Sequence, residues 1–225
     1  MRVGVSYVSK RVGFLMKKNS PYSAAFTGCG FMLAETIALL PTLQAADADA
    51  LLKREIVGNE VLSLGKAKTR ARNIVELRRR FQSVPRSFWD WFLGLSQDAQ
   101  AGALFFVLLK SYYLLFDLQL NVVVPQWRSA RLNLTKVDVM LRLNEIAAAD
   151  AFVDGWSEET KSRVCSGCLN FLRCAGMLDP KTGEFRPLKM RDEDFAHFIA
   201  IGEAWFLEAC LLQPYEIERI KECLK

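Results

Sequence analysis

Between Lys66 and Arg80 the sequence reads KAKTRARNIVELRRR, with seven basic residues, Lys66, Lys68, Arg70, Arg72, Arg78, Arg79 and Arg80, against one acid, Glu76. That segment carries a net +6, the whole chain only +5, so everything outside it sums to −1. Guanidinium groups clamp phosphate oxygens in pairs or read the edge of a guanine, and a focused positive field on one element is what a phosphate backbone requires. Intrahelical pairing does not account for this charge. Only Arg72–Glu76 and Glu76–Arg80 have the i,i+4 spacing. The alternative is a solvated surface helix.

Other residue types that carry chemistry are sparse. His197 is the single histidine and lies in the helical, apolar run Phe195-Ala196-His197-Phe198-Ile199, with no sequence-adjacent triad partner. Cys165 and Cys168 have a metal-like spacing, but they share a helix face with Val164, Leu169 and Leu172, and neither a second cysteine pair nor more histidines can complete a tetrahedral site. Gly28-Cys29-Gly30 lacks the rest of a dinucleotide or Walker loop and is assigned to close packing at a helix start. Glu158 and Glu159 fall in the first turn of a helix, where they favour its dipole. The pattern therefore calls for no catalytic residue, no metal and no cofactor.

The elements that must position the basic run are helical. A helix is expected from about Ser23 to Leu40, closed by Pro41, and another from Asp47 or Asp49 to Gly58-Asn59. A short turn then leads through Gly65 into the basic helix, which ends before Pro85. Helix, connector and basic helix outline a helix-turn-helix-like unit. On a wheel, Ala67, Ala71, Ile74, Leu77 and Phe81 form its buried arc, with Arg78 at the edge. Lys68, Arg72 and Arg79 line one outer flank and Lys66, Arg70 and Arg80 the other, with Glu76 separating the two rows.

Aromatic residues dominate the next segment. Phe88, Trp89, Trp91 and Phe92 cluster, and a long helix is expected over Leu104 to Leu118. Val122 to Pro125 reads as a short extended piece. The apolar run Ala103 to Leu109 is interrupted by Lys110 and Asp117 and reads as a core helix, not a membrane span. Thr135 caps a helix to about Asp150, Ser157 starts another that ends near Cys174-Gly176, and residues 177–186 read as a β-hairpin. Two helices and a hairpin outline a winged-helix-like unit. Its Lys161, Arg163, Lys181, Arg186 and Lys189 form a secondary set for nucleic acid or protein, and the acids at its reading end favour protein docking. Two final helices are expected at 192–211 and 214–224.

The expected fold is thus all-α: a multi-helix bundle with an N-terminal helix-turn-helix-like unit and a C-terminal winged-helix-like unit carrying one small hairpin. Residues 1–20 form a tail, 21–124 an N-terminal helical domain, and 125–225 a C-terminal one; the alternative is that the two form one compact domain. With 51% hydrophobic and 24% charged residues, 225 residues can bury a real core. No apolar run near the N-terminus is long enough for a secretory signal, so the expected location is cytoplasmic.

The chain resembles the BrxA family of bacterial BREX phage-defence systems. Four segments carry the likeness: Tyr22-Ser23 with Gly28, Gly30, Phe31 and Glu35; Asn59 to Phe81, with Leu62, Thr69, Arg72, Ile74 and Arg80; Lys110 to Asp117; and Trp156 to Thr160 through Gly176-Met177-Leu178. The resemblance implies a non-enzymatic, all-helical accessory protein that binds duplex DNA and works beside other BREX components. Docking on an acidic protein partner, or binding RNA, are the other uses open to an Arg-rich helix. Under the DNA reading, alanine at Arg70, Arg72, Arg79 and Arg80 together is expected to abolish most binding and leave the fold intact.

Overall fold

The computed structural model describes residues 20–222. All but one residue of the expected tail, and the last residues of the final helix, lie outside that range. The described chain is mostly helical, without a sheet. After a 3-10 turn at Ala25–Gly28 come α1 (Leu33–Gln44), α2 (Ala48–Gly58), α3 (Ala67–Phe81), α4 (Arg86–Leu93) and α5 (Gln97–Ser111). Next are α6 (Tyr113–Leu118), a π-helical turn (Gln119–Val123), α7 (Val124–Arg128), α8 (Lys136–Ala149), α9 (Ala151–Asp154) and α10 (Glu158–Cys174). The chain closes with α11 (Asp192–Ala200), α12 (Trp205–Ala209) and α13 (Pro214–Glu222).

Where local chemistry decides an end, expectation and structure agree. Asn59 ends α2 in the left-handed region at φ 56°. Thr135 and Asp138 form a reciprocal capping box on α8. The Ser157 hydroxyl accepts from the Thr160 amide at the start of α10, and Gly176 lies just past its end at φ +79°.

Where tertiary packing decides, the structure departs from expectation. Pro41 does not close α1; the helix runs on to Gln44 with the proline inside. The start of that helix is broken, because Gly30 at φ +73° and Met32 at φ 60° turn the chain between the 3-10 turn and α1. The long helix expected over 104–118 breaks at Tyr112, which adopts extended backbone at φ −132°, ψ 104°. Val122 to Val124 are not extended but pass through the π turn into α7, fully packed on the core. Burial against neighbouring helices outweighs the strand preference of three valines. The helix expected over 192–211 is split by a turn at Gly202, with φ +79°.

Residues 177–186 form no strand pair. They make single antiparallel bridges, Leu178 with Phe185 and Glu184 with Asn133. The Phe185 amide donates to the Leu132 carbonyl at 3.0 Å and the Arg186 amide to that of Met177 at 2.9 Å.

One large apolar core runs from Phe26 to Ile220 and crosses residue 125. A smaller one, of Met32, Leu39, Leu43, Leu52, Leu62, Ile74 and Leu77, lies under α3, and Phe81 touches both. Helix α5 sits at the centre, with Ala101 to Leu109 all buried. Lys110, which interrupts its apolar run, bonds Glu203 at 2.7 Å and so ties α5 to the turn before α12. No single helix among the described residues is long and apolar enough to cross a membrane; α5 and the segment after it pass only as a pair bent by 111°.

Candidate nucleic-acid interface

Helix α3 is held from below by polar groups that the sequence pattern placed on its surface. Arg70 is 7% exposed. Its Nε donates to the Ile56 carbonyl at 2.9 Å and its Nη1 to that of Leu64 at 2.6 Å. It therefore clamps the end of α2 and the connector to α3. Glu55 secures the same connector: its carboxylate accepts from the amides of Glu60, Val61 and Leu62 at 3.0, 3.0 and 2.8 Å. The turn that aims α3 is thus built by a buried acid on α2 and a buried guanidinium on α3.

Arg80 is 1% exposed. Its Nη1 and Nη2 donate to the carbonyls of Phe31 and Gly30, both at 2.8 Å, and its Nε to the Tyr112 hydroxyl at 3.2 Å. Tyr112 in turn donates to Oε1 of the buried Glu76. The broken start of α1 supplies the two carbonyls, and the break at Tyr112 supplies the hydroxyl. Arg70 and Arg80 are therefore corrected from outward phosphate ligands to internal struts, and the four-alanine variant that includes them would not leave the fold intact. Glu76 does not divide two rows of cations; it lies on the inner face.

The wheel is rotated relative to expectation. Asn73, Ile74 and Leu77 centre the buried face, while Ala67 is exposed. Around Leu77, the residues at i−7, i−4, i−3, i+3 and i+4 are Arg70, Asn73, Ile74, Arg80 and Phe81, and that spacing is the sequence signal for the observed face. Ala67 and Ala71 are too small to set the orientation against those larger side chains.

Burial raises the Tyr112 hydroxyl above its ordinary 10.0, with Arg80 opposing the shift and Glu76 adding to it. A raised folded-state value means that the bonded, protonated form stabilises the fold fully below about pH 10 and less as pH rises beyond it. Urea midpoints measured between about pH 9 and 11 are expected to fall in the native protein and to fall less in Tyr112→Phe.

Lys66, Lys68 and Arg72 stand exposed and make no ion pair with the described residues. Arg72 lies against the Cys29 thiol, which burial pushes up and Arg72 pulls back. Arg78 is exposed and pairs with Asp49 at 2.7 Å. Arg79 is half-buried; it donates to the Ser111 carbonyl at 3.2 Å, packs 5.0 Å over the Tyr112 ring and lies 3.9 Å from Glu76. Five of the seven basic residues thus stand outside the core, three of them unpaired among the described residues. From Lys66 to Arg79 the helix spans about 20 Å.

The secondary set is more neutralised. Lys161 is 9% exposed and bonds Glu158 at 3.2 Å; Arg163 pairs with Glu159 and Arg186 with Asp179. Lys181 and Lys189 are exposed.

The remaining candidates are packed. Burial pushes the Cys168 thiol up to about 12, with Cys165 adding to it, which opposes the thiolate that metal binding or redox chemistry would use. His197 stacks on Trp91 with ring centroids 3.9 Å apart, and burial lowers its pKa.

The family model described as BrxA matches residues 20–202. No curated protein matches the chain. Among solved structures, the crystal structure of an uncharacterized protein from Magnetospirillum magneticum superposes with a TM-score of 0.70 at 21% identity, covering 84% of this chain and 97% of that one. That likeness establishes a shared fold. With about four-fifths of its length matched by the family model, the chain belongs to the BrxA family, which is associated with BREX phage defence.

Proposed function

We propose that this protein is a non-enzymatic, DNA-binding accessory component of a BREX system, working in the cytoplasm beside other BREX proteins. Helix α3 is the DNA surface. The observation that carries this reading is the separation of its cations: Arg70 and Arg80 are spent inside, while Lys66, Lys68 and Arg72 face solvent without an ion pair among the described residues, with Arg78 and Arg79 beside them. A helix buttressed by Glu55, Arg70 and Arg80 fixes the backbone beneath that row, so no backbone ordering adds to the side-chain entropy lost on binding. Phosphate contacts dominate, and they carry little base information.

The α8–α10 region with its bridges at Asn133, Leu178, Glu184 and Phe185 supports a winged-helix-like second unit in which one segment before the first helix pairs with the returning segment after the last. Its cations are largely satisfied within the unit, which favours docking on a protein component over a phosphate backbone.

Fluorescence anisotropy with a labelled mixed-sequence duplex tests the reading. Saturable binding at low salt that is displaced by unlabelled duplex DNA supports it. Absence of binding at low salt, or displacement only by duplex RNA, contradicts it.

A further inference from the structure

On the outer face of α3, Lys68, Arg72, Val75 and Arg79 lie within about 60° of one another at the helical repeat. Val75 is 67% exposed at the centre of this stripe, flanked by cations one turn to either side. Single exposed apolar residues are ordinary on a protein surface. This one differs by its place. A valine in a solvent-facing helix position restricts χ1 and lowers helix propensity, and beside phosphates it gains nothing. In the major groove, the base edges offer one apolar group, the 5-methyl of thymine.

We infer that Val75 is a specificity-determining residue whose γ-methyls pack against thymine methyls, so that the protein prefers A·T-containing duplex through this single apolar contact. The inference rests on the reading of α3 as the DNA surface and adds base readout to it. Arg72 and Lys68, one and two turns before it, hold the flanking phosphates, and Val75 faces the groove beyond them. The preference is small, because one methyl contact is all that supports it.

The test compares an alternating A·T duplex with its deoxyuridine counterpart, which differs only in the absence of the 5-methyl groups. Native protein is expected to bind the thymine duplex about fourfold more tightly, the equivalent of about 0.8 kcal/mol for one buried methyl-sized group. Val75→Ala, which folds normally because the side chain is exposed, is expected to bring the ratio close to one while leaving affinity for the deoxyuridine duplex unchanged. Equal affinity of the native protein for both duplexes overturns the inference, and so does a thymine preference that survives Val75→Ala. In both of those cases Lys68→Ala and Arg72→Ala still weaken binding to both duplexes. If those two substitutions change nothing, α3 is not the DNA surface, and the base readout falls with it.

Discussion

Arg80→Ala is expected to lower the unfolding free energy by about 3–5 kcal/mol, the range for removing one partner from a buried charged network. Arg80 closes a chain that joins three parts of the molecule: α3, which carries both Arg80 and Glu76, the broken entry to α1, and Tyr112 at the α5–α6 break. Its loss leaves the Gly30 and Phe31 carbonyls without their donor and the Glu76–Tyr112 pair without a nearby cation, and it opens a cavity where a fully buried side chain stood. Arg80→Lys is expected to restore little, since one ammonium cannot serve two carbonyls and a hydroxyl in the geometry of a guanidinium fork. Lys68→Ala, by contrast, should stay within about 0.5 kcal/mol of the native protein, as an exposed substitution does. Urea denaturation monitored by circular dichroism measures all three. A loss below about 1 kcal/mol for Arg80→Ala would mean that the network contributes no more than a surface pair.

The second large effect concerns binding without folding. Replacing Lys66, Lys68 and Arg72 together with alanine removes three exposed cations that make no ion pair among the described residues, and the one contact it gives up is that of Arg72 with the half-buried Cys29 thiol. Counterion release at about 0.1 M salt makes each phosphate contact worth a factor of about eight, so the triple variant is expected to bind duplex DNA about 500-fold more weakly. Its urea midpoint should match the native protein's within error. A variant that also removed Arg70 and Arg80 would confuse lost binding with lost structure.

Much of the fold was legible because it is fixed locally. Asn59, Thr135, Ser157 and Gly176 each mark a helix end through backbone chemistry within a few residues, and each does so where expected. The aromatic cluster at Phe88, Trp89 and Phe92 also packs as its composition suggests. The positions that escaped the sequence pattern are those set by distant partners. Tyr112 sits inside a segment that reads as one continuous helix, yet the chain bends there, where its hydroxyl meets Glu76 and Arg80 on another helix. Pro41 carries the sequence signal of a helix end, but α1 continues past it, and Leu43 joins the small core beneath α3.

The candidate site was legible as charge and illegible as geometry. Seven cations in one helix announce a field, but a sequence does not say which guanidiniums the protein spends on itself. Two of the four arginines expected to be ligands, Arg70 and Arg80, bond backbone carbonyls up to 50 residues away in the chain. Glu76, expected to divide two surface rows, is a buried acceptor. The correction strengthens the site: the buried pair fixes the connector and the helix, and the cations that remain outside are the ones free to meet a phosphate backbone.

The salt dependence of duplex binding, measured side by side for the native protein and the Lys66, Lys68, Arg72 triple-alanine variant, tests that central claim most directly. With about five phosphates neutralised, log K for the native protein should fall against log salt with a slope of about −4.5, and the variant, with about two contacts left, should show about −1.8. Equal slopes for the two proteins would contradict the account and place the DNA-binding surface elsewhere on the molecule.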